Sequence, residues 1–89
     1  MNAKYYFQDL LNIEEKEILY LIGKKCRIKY LDIKNNNSTK ENFSEGDFLI
    51  IGINRAPFLN LPCEFQVVDL RNDIREHIHF QLIQEIQEL

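Results

Sequence analysis

The most apolar run of the chain lies near its middle, at residues 46–55 with the sequence GDFLIIGINR. A strand with one face in water alternates apolar and polar residues, whereas Phe48, Leu49, Ile50 and Ile51 follow one another without interruption. The run therefore predicts a central strand whose two faces are both covered by the rest of the chain.

Two other segments show the alternation typical of strands with one buried face. Along residues 25–34, Cys26, Ile28 and Tyr30 alternate with Arg27 and Lys29. The apolar positions then change face near residues 30–31, which predicts a bulge or bend there.

Residues 63–70 form the second alternating segment, and its apolar and polar side chains are expected on opposite faces. The apolar face contains Cys63, Phe65 and Val67, and the polar face contains Glu64, Gln66 and Asp69.

Helical signals lie near the start of the chain. Tyr6, Phe7, Leu10 and Leu11 have helical spacing within residues 4–11. Residues 13–22 form the clearer helix, with Asn12 as the N-cap, Glu15 completing a capping box and Gly23 after the last turn. Its apolar end, 18–22, predicts a well-buried helix that covers the central strand; whether it continues from Tyr6 or breaks at Asn12 is open.

The last segment, residues 74–89, fits two structures. As a helix it begins after Asp73 and carries an apolar stripe; as a strand it follows a turn at Asn72 and Asp73, and Ile78 and Phe80 alternate with histidines. The sequence QLIQEIQEL slightly favours the helix by propensity.

Two segments are predicted to be loops. Residues 35–46 collect most of the turn-forming residues of the chain, and residues 54–62 contain two prolines that exclude a regular ladder.

Together the elements predict one domain, residues 1–89, of the α+β class. An N-terminal helix is expected to pack on a small antiparallel sheet of three to five strands, since locally connected strands pair antiparallel. If the last segment is a closing strand, the layout becomes an SH3-like or Sm-like partly closed barrel.

Charge is distributed unevenly, although the net charge is only −3. Residues 1–40 carry eight Lys and Arg against five Asp and Glu, and the remainder carries three against nine. Residues 24–34 form a local basic strip that contains five cations: Lys24, Lys25, Arg27, Lys29 and Lys34. RNA or single-stranded DNA could bind this strip through Lys24, Lys25, Arg27, Lys29 and Tyr30. A solvated strand face beside an acidic neighbour explains the same pattern and is preferred, because nucleic-acid-binding domains are usually basic overall.

The 54–62 loop is the preferred candidate for function. The rigid Ala56–Pro57 step presents Phe58, Leu59 and Leu61 beside Arg55, a composition typical of binding hot spots. The competing interpretation is that the same apolar side chains fold back and complete the core.

Catalytic and metal-binding patterns are weak. Three glycines cannot build a phosphate-binding loop, and both serines lie in the predicted 35–46 loop. His77 and His79 would share a face in a strand, with Cys63, Glu64 or Glu76 as a third metal ligand, but a single H-x-H pair recurs by chance. Cys26 and Cys63 form no C-x-x-C motif; a disulfide between them is an open alternative.

The sequence therefore predicts a small non-catalytic protein-interaction module, without cofactor or metal, that binds a protein partner or a second copy of itself. RNA or single-stranded DNA binding through the basic strip is the alternative. A signal peptide and an apolar stretch of about 20 residues are both missing, so a cytoplasmic, membrane-free location is expected.

Overall fold

The computed structural model describes residues 14–32 and 43–89, together with the backbone of residues 4–6. One short helix, one 3-10 helix and six strands make up these parts of the chain. Their bounds are β1 Lys4–Tyr6, α1 Glu15–Tyr20, β2 Lys25–Leu31, β3 Phe43–Arg55, β4 Pro62–Asp69, β5 Arg75–His79, the 3-10 helix Phe80–Leu82 and β6 Ile83–Glu88.

All strands belong to one antiparallel sheet with the order β1-β6-β2-β3-β4-β5. Strands β2 to β5 pair in sequence order, and β6 returns to pair with β2 on the opposite side from β3. The edge strands β1 and β5 do not pair with each other, so the sheet is not closed. This confirms the predicted small antiparallel α+β fold, to which the short β1 adds a strand.

The core lies between the inner face of the sheet and helix α1. Ile18 and Leu21 come from the helical segment, and Phe80 from the 3-10 helix, to meet strand residues that are almost fully buried. The strand residues of this core are Cys26, Ile28, Phe48, Ile50, Phe65, Val67, Ile78, Ile83 and Ile86.

Helix α1 is shorter than the predicted 13–22 and is buried on one side only. The predicted well-buried helix is buried only through Ile18 and Leu21, because Leu19 and Tyr20 are exposed. The N-cap is Glu14, without a side-chain cap, whereas the predicted cap Asn12 lies outside the described residues. Gly23 ends the turn with a positive φ of 89°, and its N–H donates to Ile50 O at 2.7 Å.

Strand β3 is central in the sheet, as predicted, but only one of its two faces is covered by the core. Phe48 and Ile50 point into the core, whereas Ile51 is exposed. The pairing register with β4 shifts between Ile50 and Gly52, so Ile51 occupies a bulge and Ile53 returns to the inner face. The bulge therefore explains why Ile50 and Ile53 both face inward, whereas Leu49 lies on the outer face, where it is half-buried.

Strands β2 and β4 follow the predicted alternation closely. In β2, Cys26 and Ile28 are buried, and the irregularity lies in the pairing with β6, between Lys29 and Tyr30. In β4, Asp69 was predicted on the polar face but lies inside, 2% exposed, in line with Phe65 and Val67.

The last segment consists of strands, so the slight preference for a helix there was wrong. Strand β5 follows a turn in which Asp73 has a positive φ of 58°, and the 3-10 helix then redirects the chain into β6. The alternation of Ile78 and Phe80 with the two histidines was the correct signal, because Ile78 and Phe80 are buried while His77 and His79 are exposed.

The structure also corrects the predictions for residues 4–11 and for the end of the 35–46 loop. Residues 4–6 form a strand paired with β6, not the start of a helix, and residues 7–11 lie outside the described residues. The predicted 35–46 loop ends earlier, because β3 already begins at Phe43.

Candidate interaction surface

The connection between β3 and β4, residues 56–61, forms a hairpin tip whose backbone is held by two hydrogen bonds. Ala56 N donates to Leu61 O at 2.8 Å, and Asn60 N donates to Ala56 O at 3.0 Å. Asn60 has a positive φ of 52°, a conformation that asparagine tolerates better than most residues. The tip is thus a defined turn built from the residues that the sequence supplies there.

Arg55 ties the hairpin tip to the rest of the molecule. Its guanidinium Nη1 donates to Asn60 O at 3.1 Å and forms an ion pair with Glu15 of helix α1. The tip is therefore braced against the helix at its base.

The apolar side chains of the tip point into solvent. Phe58 is 98% exposed, Leu59 70% and Leu61 59%. Of the two interpretations that the sequence left open, the fold favours the exposed tip, since these side chains do not complete the core.

A cleft of about 520 Å³ lies at the base of the tip. Its apolar walls include Ile18, Leu61, Pro62 and Phe80, and the paired Glu15 and Arg55 also line it. The cleft joins α1, the hairpin and the 3-10 helix. Since these elements are far apart in sequence, short-range patterns gave no signal for it.

The basic strip is placed among carboxylates. In the sheet register, Arg27 lies opposite Asp47 of β3 and Lys29 lies opposite Glu45 of β3 and Glu85 of β6. Arg27 Nε donates to Asp47 Oδ1 at 2.9 Å, and this hydrogen bond raises the pKa of the guanidinium further above its ordinary value. Arg27 is therefore paired with a carboxylate, and Lys29 lies between two strands that each place a carboxylate opposite it.

Of the other candidate residues of the strip, Lys24 and Tyr30 contact aromatic rings, Lys25 is exposed, and Lys34 lies outside the described residues. Lys24 Nζ lies 4.9 Å from the centre of the Tyr20 ring. Tyr30 is half-buried and packs edge-on against Phe48, with ring centres 6.0 Å apart. Tyr30 thus turns toward the core side, whereas Arg27 and Lys29 lie on the outer face.

His77 and His79 are exposed on the edge strand β5, opposite Gln66 and Glu64 of β4. His77 Nδ1 lies 3.4 Å from Glu64 Oε1, and Asn54 Nδ2 donates to the same oxygen at 2.6 Å. Within the described ranges, no group of three or more His, Cys, Asp or Glu side chains has an arrangement that could hold a metal ion.

Both cysteines are free thiols in contrasting environments. Cys26 is fully buried, and burial together with the nearby Glu88 raises the pKa of its thiol to about 11. Cys63 is half-buried on the cleft wall, with Sγ donating to Asn54 O at 3.4 Å.

Thiol labelling of the folded protein should modify Cys63 alone. The thiolate is the reactive form, and Cys26 remains protonated and inaccessible at neutral pH. With Ellman's reagent we expect one reactive thiol per folded chain and two after unfolding in urea, with mass spectrometry locating the first at Cys63. Rapid reaction of two thiols in the folded protein would contradict the buried position of Cys26.

Comparisons with known proteins give no relative: no protein-family model, curated protein or solved structure matches this chain. In the parts of the chain that the structure describes, no helix is long and apolar enough to cross a membrane. Any assignment of function therefore depends on the surface itself.

Proposed function

We propose that the chain is a small non-catalytic protein-interaction module that binds its partner through Arg55, Phe58, Leu59 and Leu61. The observation that carries the proposal is the 98% exposure of Phe58 at the hairpin tip. Contiguous exposed apolar residues mark interaction sites more often than ordinary surface, and aromatic anchors supply much of the energy in such sites.

The bracing of the tip supports this proposal. The two backbone hydrogen bonds across 56–61 and the contact of Arg55 with Asn60 O fix the turn before a partner arrives. A preorganised loop loses less conformational freedom on binding, so more of the contact energy appears as affinity.

The distribution of charge supports the tip over the basic strip. Residues 56–61 contain no charged side chain, and Arg55 is already paired with Glu15. In contrast, Arg27 and Lys29 face carboxylates that a nucleic acid would have to displace. Nucleic-acid binding remains the alternative, and its affinity should fall steeply with salt.

Replacement of Phe58 by alanine should abolish partner capture without unfolding the protein. The side chain buries almost nothing within the chain, so the free energy of unfolding should change by less than about 0.5 kcal/mol. Loss of a binding anchor should cost about 2 kcal/mol or more, roughly a thirtyfold loss of affinity. The measurement is quantitative capture from the native cell's lysate, followed by titration of the purified partner.

Ile74→Ala provides a matched control, because Ile74 is 55% exposed at the turn before β5, away from the tip. Each capture is repeated with nuclease. Partners that persist after nuclease, depend on Phe58 and tolerate Ile74→Ala support the proposal. Partners that vanish with nuclease would shift the assignment to RNA or DNA.

A finer fold assignment also belongs among the proposals: an SH3-like or Sm-like partly closed barrel. It is supported by the order β6-β2-β3-β4-β5 and by a small cleft of about 140 Å³ shared by Tyr30 and Leu31 of β2 and Ile78 of β5. Nuclear Overhauser contacts between the side chains of Leu31 and Ile78 would support the barrel, and their absence would leave an open sheet.

A further inference from the structure

The hairpin tip and the cleft are complementary features at the same end of the molecule. The tip projects Phe58, whereas the cleft at its base has apolar walls from Ile18, Pro62 and Phe80. Leu61 belongs to both, since it is 59% exposed and also lines the cleft. The volume of about 520 Å³ lies within the range of about 300–1,000 Å³ found for binding pockets.

We propose that the occupant of this cleft is Phe58 of a second copy of the chain, in a reciprocal dimer. A two-fold axis between the tips would seat each Phe58 in the other copy's cleft, so each copy supplies the residue that completes the other's site. The proposal rests on the proposed function, because it uses the same hairpin tip as the binding element.

Charge at this end of the molecule permits the close approach of two identical copies. The tip has no charged residue, and the two opposite charges that line the cleft, on Glu15 and Arg55, form an ion pair with each other. Contact through the tip and the cleft therefore buries no unpaired Asp, Glu, Lys or Arg among the residues that form them, even though each chain carries a net charge of −3. A strongly charged partner would gain nothing from this surface.

The area available predicts a weak dimer. One aromatic side chain buries about 150–250 Å², so two reciprocal insertions with the walls they cover bury about 600–1,000 Å² in total. Stable interfaces bury about 1,200–2,000 Å². We therefore expect a concentration-dependent dimer with a dissociation constant above about 1 μM.

Sedimentation equilibrium from about 10 μM to 1 mM tests the association directly. The average mass of the wild-type chain should rise from 10.7 kDa toward twice that value. Phe58→Ala should raise the dissociation constant at least tenfold, and Ile74→Ala should leave it unchanged.

The role of the cleft as the receptor for Phe58 is tested by attaching a chemical group inside it. Cys63 lies on the cleft wall and Cys26 is fully buried, so N-ethylmaleimide should add one group per folded chain, inside the cleft. This adduct should also raise the dissociation constant at least tenfold. The matched control is Cys63→Ser treated with the same reagent, which should associate like the untreated wild type; circular dichroism checks that the adduct remains folded.

Each other outcome overturns the proposal in a recognisable way. A wild-type chain that stays at the mass of one copy up to 1 mM excludes the dimer, while Phe58-dependent capture of another protein would still support the proposed function. A dimer that tolerates the Cys63 adduct or Phe58→Ala excludes insertion of the tip into the cleft.

Discussion

Phe48→Ala is expected to lower the free energy of unfolding by about 3–5 kcal/mol, the range for removal of a buried aromatic ring. Phe48 is fully buried in the central strand β3, edge-on to Tyr30 and directly opposite Cys26 of β2. The Phe48 ring packs against Tyr30 and beside Cys26, so its removal leaves a cavity in the core next to the central strand. Urea denaturation followed by circular dichroism measures the change.

A chain of 89 residues is expected to have an unfolding free energy of about 5–13 kcal/mol, so this variant could lose much of its stability. Phe58→Ala makes the same chemical change at an exposed position and serves as the control. If both variants lost similar stability, either the tip would be part of the core or Phe48 would lie outside it.

The alternation of side chains predicted most of the sheet. Cys26, Ile28, Phe65 and Val67 lie in the core as their period of two requires. The prediction succeeded in β2 and β4 because each strand has one face on the core and one toward solvent, which is the arrangement that produces alternation.

The prediction that both faces of β3 are covered failed because of a bulge at one residue, Ile51. The bulge at Ile51 inserts an extra position, so Ile50 and Ile53 both face inward although they are three positions apart in the sequence. An uninterrupted apolar run has the same appearance whether a strand is covered on both faces or is bulged. Only the pairing with β4 distinguishes the two.

Part of the candidate surface could also be predicted from the sequence. Proline and a cluster of apolar residues marked the tip, but its exposure depends on whether the core is already full without it. The core is filled by Phe80 and Ile83 from a segment whose structure the sequence left open. The cleft could not be predicted, because Glu15 and Arg55 meet only after the chain has folded.

The basic strip shows how folding changes the meaning of a linear charge pattern. Arg27 and Lys29 are neighbours in sequence, and the sheet then places Asp47, Glu45 and Glu85 beside them. Carboxylates from the acidic second half of the sequence thus lie opposite cations from the basic first half. This pairing is one reason for proposing the uncharged hairpin tip, rather than the strip, as the binding surface.

Asp69→Asn is the second substitution expected to have a large effect, at about 1–3 kcal/mol lower stability. The Asp69 carboxylate is 2% exposed and receives hydrogen bonds from Arg71: from Nη2 at 2.9 Å, Nε at 3.2 Å and the backbone N at 2.9 Å. An amide keeps the shape and one acceptor oxygen but loses the charge that strengthens these bonds.

This carboxylate also predicts the pH dependence of stability. The hydrogen bonds from the Arg71 side chain, followed by the one from its backbone, hold the pKa of Asp69 below its ordinary value of 3.8. A depressed pKa in the folded state stabilises the protein above the unfolded pKa, and this contribution is lost as pH falls through the folded value. The stability gap between wild type and Asp69→Asn should therefore be constant from pH 7 to about 5 and shrink below about pH 4.

Asp73→Asn is the matched control, since Asp73 is exposed in the same turn and asparagine tolerates its positive φ of 58°. We expect it to change stability by less than about 0.5 kcal/mol at any pH in this range. Urea denaturation of the three proteins from pH 7 to 3 makes the comparison. A gap between wild type and Asp69→Asn that stays constant down to pH 3 would contradict the prediction that Arg71 holds Asp69 in its charged form in the folded state.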